Sequence, residues 1–229
     1  MSTTVTAPRS GLARWSALGG AAYVVLFTAG VLIKDSGVPD FDANPAKVIE
    51  YYSDSGHRDK IALGWGLAIL GLFFFVWFVA ALRQFLARID GDGFLTTVAT
   101  IGGSIYAATS LTGISLETAV QTMSDDTFRD QVYPGLIHGA RDAGYVIHAS
   151  GGVGAGALIV ATSLAARRAG LIPGWAGWTG IVIGILAVAS VFFFPIILLA
   201  LWVLVASIAL FMATPATGAT PSSPRTPAS

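Results

Sequence analysis

The sequence predicts an all-helical membrane protein: a polytopic bundle of six transmembrane helices with one short amphipathic surface helix. Three observations predict it. Only 11% of the residues are charged and 54% are hydrophobic, whereas soluble domains carry roughly 25% charge. Apolar runs able to cross about 30 Å of hydrocarbon recur along nearly the whole chain. Finally, no charged residue lies between Trp175 and Ala213. As one straight helix that stretch would be about 60 Å long, twice the hydrocarbon thickness, so it must fold back.

Composition also removes several classes of function. Thirteen basic and thirteen acidic residues cancel, which gives nothing for nucleic acid to bind. Cysteine is absent, so disulfides, thiolate metal sites and cysteine catalysis are all excluded. Hydrolase and zinc-protease signatures of the GxSxG and HExxH types do not occur. The chain reads as one membrane domain over residues 13–213, between disordered tails at 1–12 and 214–229.

The first span, about 15–33, follows a basic start (Arg9, Arg14) and ends in Lys34-Asp35. A signal peptide would have a shorter apolar core and a small-residue cleavage site, so this span is expected to be retained. Asn44-Pro45 then opens AKVIEYY, with Asn44 as N-cap and Pro45 at the first helical position. Val48, Ile49 and Tyr52 share helical spacing, and the segment is expected to lie on the membrane face. The second span, about 61–82, is aromatic-rich and stops at Arg83, Arg88 and the turn Asp90-Gly91-Asp92-Gly93.

A third span, about 94–119, is rich in small and hydroxyl residues, as befits a helix inside a bundle. An acidic connection over 122–137 (Asp125, Asp126, Arg129, Asp130) leads to the fourth span, about 143–166, closed by Arg167-Arg168. The charge-free stretch is expected to break at Pro195, which disfavours helix before it. That gives a fifth span of about 175–191 and a sixth of about 195–212. Six spans put both termini on one side. Arg14, Arg83, Arg88, Arg167 and Arg168 flank span ends in short connections, which places that side in the cytoplasm and the protein in the plasma membrane.

The segment DANPAKVIEYYSDSGHRDKI before an aromatic second span, FVAALRQFL at its end, RRAGLIPGWAGWTG between the fourth and fifth spans and the tryptophan of ALWVLVASIAL together resemble a family of small multi-pass membrane proteins of unknown function, abundant in actinobacteria. The resemblance covers residues 12 to 213. It implies six membrane helices and no established activity, so no functional residue carries over.

The sharpest chemical signal is HGARDAGYVIHASGGVGAG. His138, Arg141, Asp142, Tyr145 and His148 fall on one side of a helix, and Gly152 and Gly156 continue that side as a close-packing surface. Glu117 and Gln121, a turn apart on the third span, are expected at the same depth. Ionisable groups entering a membrane turn toward the protein interior or a water-filled cavity, and histidine titrates near neutral pH. A ligand site or proton relay is one reading. An ordinary ion-pair network at a wet helix end is the other. His148 lies deepest and most needs a partner. His138 and Asp142, with His148, Glu117 or His57, offer metal ligands but no compact motif. The GGVGAG run lacks the strand and lysine of a phosphate loop and reads as helix packing.

These features lead us to expect a non-enzymatic protein in the lipid bilayer whose outward face, between spans three and four, senses or binds a protein partner or small ligand. No metal or cofactor is expected. A small-solute or proton-coupled permease is the alternative, and a membrane-embedded enzyme is third. No clear internal repeat of the kind common in transporters is expected.

Overall fold

In the computed structural model the described residues are 11–40, 42–126, 131–189 and 194–213. Among them all regular structure is helical. The helices are α1 (Gly11–Ala17), α2 (Gly19–Asp35), α3 (Pro45–Ser53), α4 (Ser55–Leu86), α5 (Phe94–Asp126), α6 (Pro134–Ser150), α7 (Gly152–Arg168), α8 (Gly174–Ala187) and α9 (Phe194–Ala213). Four rods are long and apolar enough to cross a bilayer: Arg14–Asp35, Ser55–Leu86, Phe94–Met123 and Pro134–Arg168. The apolar helices Gly174–Ala187 and Ile197–Ala213 are shorter. Of the expected tails at 1–12 and 214–229, Gly11 and Leu12 are helical, in α1; residues 1–10 and 214–229, with Arg129, Asp130 and Val191, lie outside the described residues.

Two rods are made of paired helices. Leu18 and Gly151 keep right-handed helical dihedrals, so α1 runs into α2 and α6 into α7 with only a local irregularity. The first irregularity has a visible cause. The Ser207 hydroxyl of α9 accepts from Ala21 N–H at 3.1 Å and donates to the Ala17 carbonyl at 2.6 Å. It is thereby inserted into a backbone bond the helix would otherwise make itself, a recognised source of kinks.

Neighbouring rods follow chain order. α2 packs on α4, α4 on α5, α5 on α6 and α7, α7 on α8, α8 on α9, and α9 returns to α1 and α2. Lipid tails are as apolar as leucine, so close backbone approach at small residues contributes much of the association. The crossings show it. A Cβ added to Gly30 would lie 2.5 Å from the Gly64 carbonyl oxygen, and one added to Gly64 would lie 2.5 Å from that of Gly30. Between α5 and α6, Gly113 and Gly144 are reciprocal in the same way, at 2.5 and 2.6 Å. Deeper in the bundle Gly19 faces Phe74 O and Phe78 N, while Gly102 faces Gly154 O and Leu158 N.

These contacts correspond position by position, which corrects the expectation of no internal repeat. One constant offset carries Gly19 to Gly102, Gly20 to Gly103, Tyr23 to Tyr106, Gly30 to Gly113 and Lys34 to Glu117. A second carries Gly64 to Gly144, Phe74 to Gly154 and Phe78 to Leu158. The hairpin α1–α2–α4 and the hairpin α5–α6–α7 use one packing register twice.

α3 starts as expected: the Asn44 side chain accepts from Ala46 N–H at 2.7 Å, and Pro45 follows. Its position differs from the expectation of a helix on the membrane face. Val48, Tyr51 and Tyr52 point down onto the ends of α4, α5 and α6, where they form a small core with Ile61 and Ile137. Protein covers Val48, Tyr51 and Tyr52, while Ile49 is exposed. This second core is separate from the main one around Phe75, Phe78, Leu158, Leu199 and Val203.

The same cover explains why several helices outrun the expected spans. α4 begins at Ser55, where the Asp54 side chain caps Gly56 and His57 N–H, rather than at residue 61. α5 continues to Asp126 and α6 begins at Pro134, so 122–126 and 134–137 are helical rather than connecting. Of the polar residues near these ends, Gln121 bonds to Tyr52 of α3 and Arg141 to the segment entering it. α8 ends at Ala187, and Pro195 lies inside the first turn of α9, the place a helix tolerates proline best. The break therefore precedes Pro195.

At the opposite end, Gly93 has φ of 72°, a conformation that glycine adopts without a Cβ penalty. Asp90 accepts from Thr96 N–H at 2.7 Å and Asp92 from Phe94 N–H at 3.0 Å. The Thr96 amide, first among several donors, holds the Asp90 carboxyl below the usual carboxylate range.

Candidate functional site

The site grows out of the two glycine crossings. One turn beyond Gly30, α2 carries Lys34; one turn beyond Gly113, α5 carries Glu117. The missing side chain of Gly64 leaves room for the Lys34 stem, whose Cβ lies 2.9 Å from where a Gly64 Cβ would be. Gly144 does the same for the Glu117 Cβ, at 3.1 Å. The two notches thus bring opposite charges between the helices, where Lys34 Nζ lies 3.0 Å from Glu117 Oε1.

Lys34 is only 2% exposed, and Asp35 also holds its ammonium at 2.6 Å. Arg141 of α6 brings Nε to 3.9 Å from the same Glu117 oxygen and donates through its guanidinium to the Pro39 carbonyl at 2.8 Å. One carboxylate therefore joins α2, α5 and α6, and its arginine ties them to the segment entering α3. Removing one member of such a buried pair leaves an uncompensated charge.

One turn further along α5, Gln121 is 1% exposed and donates from Nε2 to the Tyr52 hydroxyl at 3.2 Å. Its Oε1 is buried without a hydrogen-bond partner. Burial pushes the Tyr52 hydroxyl up to about 12, against an opposing pull from Arg141. Tyr51 is also raised, by burial first and then by the Asp35 charge. Arg58 donates to the Tyr52 carbonyl at 2.7 Å, Lys60 donates to Ser36 O, and the Tyr51 ring stacks on His57 at 4.0 Å. All of these hold α3 down.

Below the charges, His148 lies between two rings. Phe27 is nearly parallel to it at 5.8 Å, and Tyr106 is tilted at 6.1 Å. Tyr106 in turn shares a hydrogen bond between hydroxyls with Tyr23 of α2. The partners His148 needed are aromatic faces from α2 and α5.

The predicted residues therefore divide. Glu117, Gln121, Arg141 and His148 come together under α3. His138 is half-buried with Nδ1 lacking a partner, and Tyr145 is half-buried. Asp142 is exposed. The buried residues of α6 are Ile137, Ala140, Arg141, Gly144 and Ala149, with His148 half-buried beside them, so the expected arc overlaps that side at one edge. Gly152 is buried in α7, and Gly156 packs against Gly184 of α8 rather than continuing toward α5. Among the described residues no group of three or more His, Asp or Glu is placed to hold a metal ion.

Lys34, Tyr23, Tyr106 and Phe27 escaped the sequence reading. Lys34 looked like the polar stop after an apolar span. The clue was GGxxY followed by a glycine and then a charge, which occurs once in α2 and once in α5.

Comparison of the chain with protein-family models, with curated proteins and with solved structures gives no match. The class rests on the fold: among the described residues all regular structure is helical, and four helices are long and apolar enough to span a membrane.

Proposed function

We propose that this is a six-span, non-enzymatic plasma-membrane protein with cytoplasmic termini, whose outward face senses or binds a protein partner or small ligand at the α5–α6 site beneath α3. The observation that carries this reading is the Glu117 node. Its carboxylate is shared by Lys34 and Arg141, and Arg141 is bonded to the chain entering α3. A ligand that moves α3 or the accessible side of α6, where Asp142 is exposed, would change the pairing of a buried charge. Such a shift is the kind of differential contact that couples binding to conformation.

The topology is supported by the basic end opposite α3. There Arg14 lies over the Phe211 ring at 4.4 Å and Arg167 over Trp178 at 4.6 Å, as in an aromatic and cationic membrane boundary. The resemblance to the actinobacterial family belongs to the same reading.

A second reading, a proton-coupled or small-solute permease, is favoured by one observation. The hairpin repeat puts a charged pair at the junction of its two units, and transporters built from parallel repeats hold their sites at such junctions. Purified protein in liposomes with an imposed pH gradient separates the two. Sensing expects the gradient to decay as in protein-free liposomes. A leak that Glu117→Gln abolishes would establish transport instead.

A further inference from the structure

We infer that residues 11–86 and 94–168 are two copies of one helical-hairpin unit, each rigid within itself, and that the side-chain contacts between α2 and the second unit form a latch that can open while the α4–α5 seam stays closed. The inference goes beyond the proposed function and does not depend on it.

The argument begins with two contacts at different depths. Tyr23 meets Tyr106, and Lys34 meets Glu117. In each pair the partners occupy equivalent positions of the two hairpins. Under a twofold relation, equivalent residues can touch each other only beside the axis. Two such pairs, three turns apart on the same helices, therefore mark an axis running along the helices between α2 and α5. Because the first helices of both units run the same way, the repeat is of the parallel type.

Rigidity differs inside and between the units. Within each hairpin the crossings bring backbone onto backbone: even one carbon added at Gly30, Gly64, Gly113 or Gly144 would meet a carbonyl oxygen at 2.5–2.6 Å. Such crossings cannot slide without clashing. Between the units, α4 packs on α5 along the seam. On the α2 side the direct contacts are tips of long side chains, namely two hydroxyls, an ammonium on a carboxylate, and Phe27 stacked on His148, while α9 packs on α1, α2 and α7 at the opposite end from the charges. Tips can separate by rotation about single bonds, at little cost to the backbone.

The copies have diverged beside the axis. Phe27 corresponds to Ser110, and Ala68 to His148. His148 thus faces the α2 side of the junction, and opening the latch would uncover it together with Glu117.

The chain has no cysteine, so introduced cysteines can be spin-labelled cleanly. The exposed positions Leu32 on α2, Leu63 on α4 and Val146 on α6 suit this use. In lipid nanodiscs, Leu32→Cys with Val146→Cys reports across the latch, and Leu32→Cys with Leu63→Cys reports within one hairpin. Pulsed dipolar spectroscopy on the full chain is expected to show a second, longer distance across the latch when Glu117→Gln is added. The distance within the hairpin should stay unchanged. Tyr23→Phe combined with Tyr106→Phe leaves the charges in place and should give the same pattern at smaller amplitude. Distributions that stay unchanged in both variants, or that broaden equally within and across the hairpins, would overturn the inference.

Discussion

The first hairpin and the second share a backbone register and differ in what they do with it. In the first, the notch at Gly64 seats a lysine stem and the position facing the axis is Ala68. In the second, the notch at Gly144 seats a glutamate stem and the corresponding position is His148. The difference shows where this protein keeps its chemistry. Glycines set how close the helices come, and that is repeated. Charge and aromatic character sit one turn beyond the glycines, and those are specific to each unit. Neither unit has a complete site: the carboxylate of one needs the ammonium of the other.

The comparison can be broken most strongly at the shared carboxylate. Glu117→Ala leaves the buried Lys34 with only half-exposed Asp35 beside it, and should cost about 3–5 kcal/mol of stability in detergent unfolding. Next come the notches. Gly30→Ala and Gly113→Ala should each destabilise by about 1–3 kcal/mol and by similar amounts, because the obstacles are equivalent. Gly66→Ala, with open space around it, should be neutral or stabilising by up to about 1 kcal/mol from helix propensity. Unequal costs at Gly30 and Gly113 would sharpen the comparison into a real difference between the hairpins.

A smaller effect is expected at the axis. Tyr23→Phe and Tyr106→Phe each remove one partner of the shared hydroxyl bond, for about 1 kcal/mol apiece. Smallest is the pH response of the α3 cover, which lies between the two rods of the first hairpin. The Tyr52 hydroxyl is raised in the folded protein, so its contribution is fully present below the ordinary tyrosine value of about 10 and is lost as pH rises through about 12. The unfolding temperature should fall over that window, and Tyr52→Phe should flatten the fall. An equal slope in that variant would mean another group is responsible.

The apolar rods and their turns were legible in the sequence because hydropathy and helix-breaking residues report directly on the lipid phase and on chain reversal. The ends of the rods were not. α5 and α6 continue through polar residues such as Gln121 and Arg141, which bond to α3 and to the segment entering it, and cover by another segment leaves no local mark. Half of the site was legible: Glu117, Gln121, Arg141 and His148 were singled out by polarity within apolar surroundings. Asp142 was included because helical spacing fixes which residues are neighbours but not which way the helix faces. Lys34 was left out for the opposite reason, since a lysine ending a span has an ordinary explanation until its neighbour across the crossing is known. The repeat was hidden because small residues are common in membrane helices. Only the contact pattern separates the glycines that form notches, such as Gly30 and Gly113, from open ones such as Gly66 and Gly139.

The central claim is that equivalent positions of the two hairpins meet as one buried charged pair, and a double-mutant cycle at Lys34 and Glu117 tests it most directly. Stability in detergent would be measured for Lys34→Met, Glu117→Gln, the double variant and the parent chain. The account predicts that the two losses are far from additive, with a coupling of about 2–3 kcal/mol and a double variant more stable than Glu117→Gln alone. Additive losses, within about 0.5 kcal/mol, would show that the two side chains do not depend on each other and would contradict it.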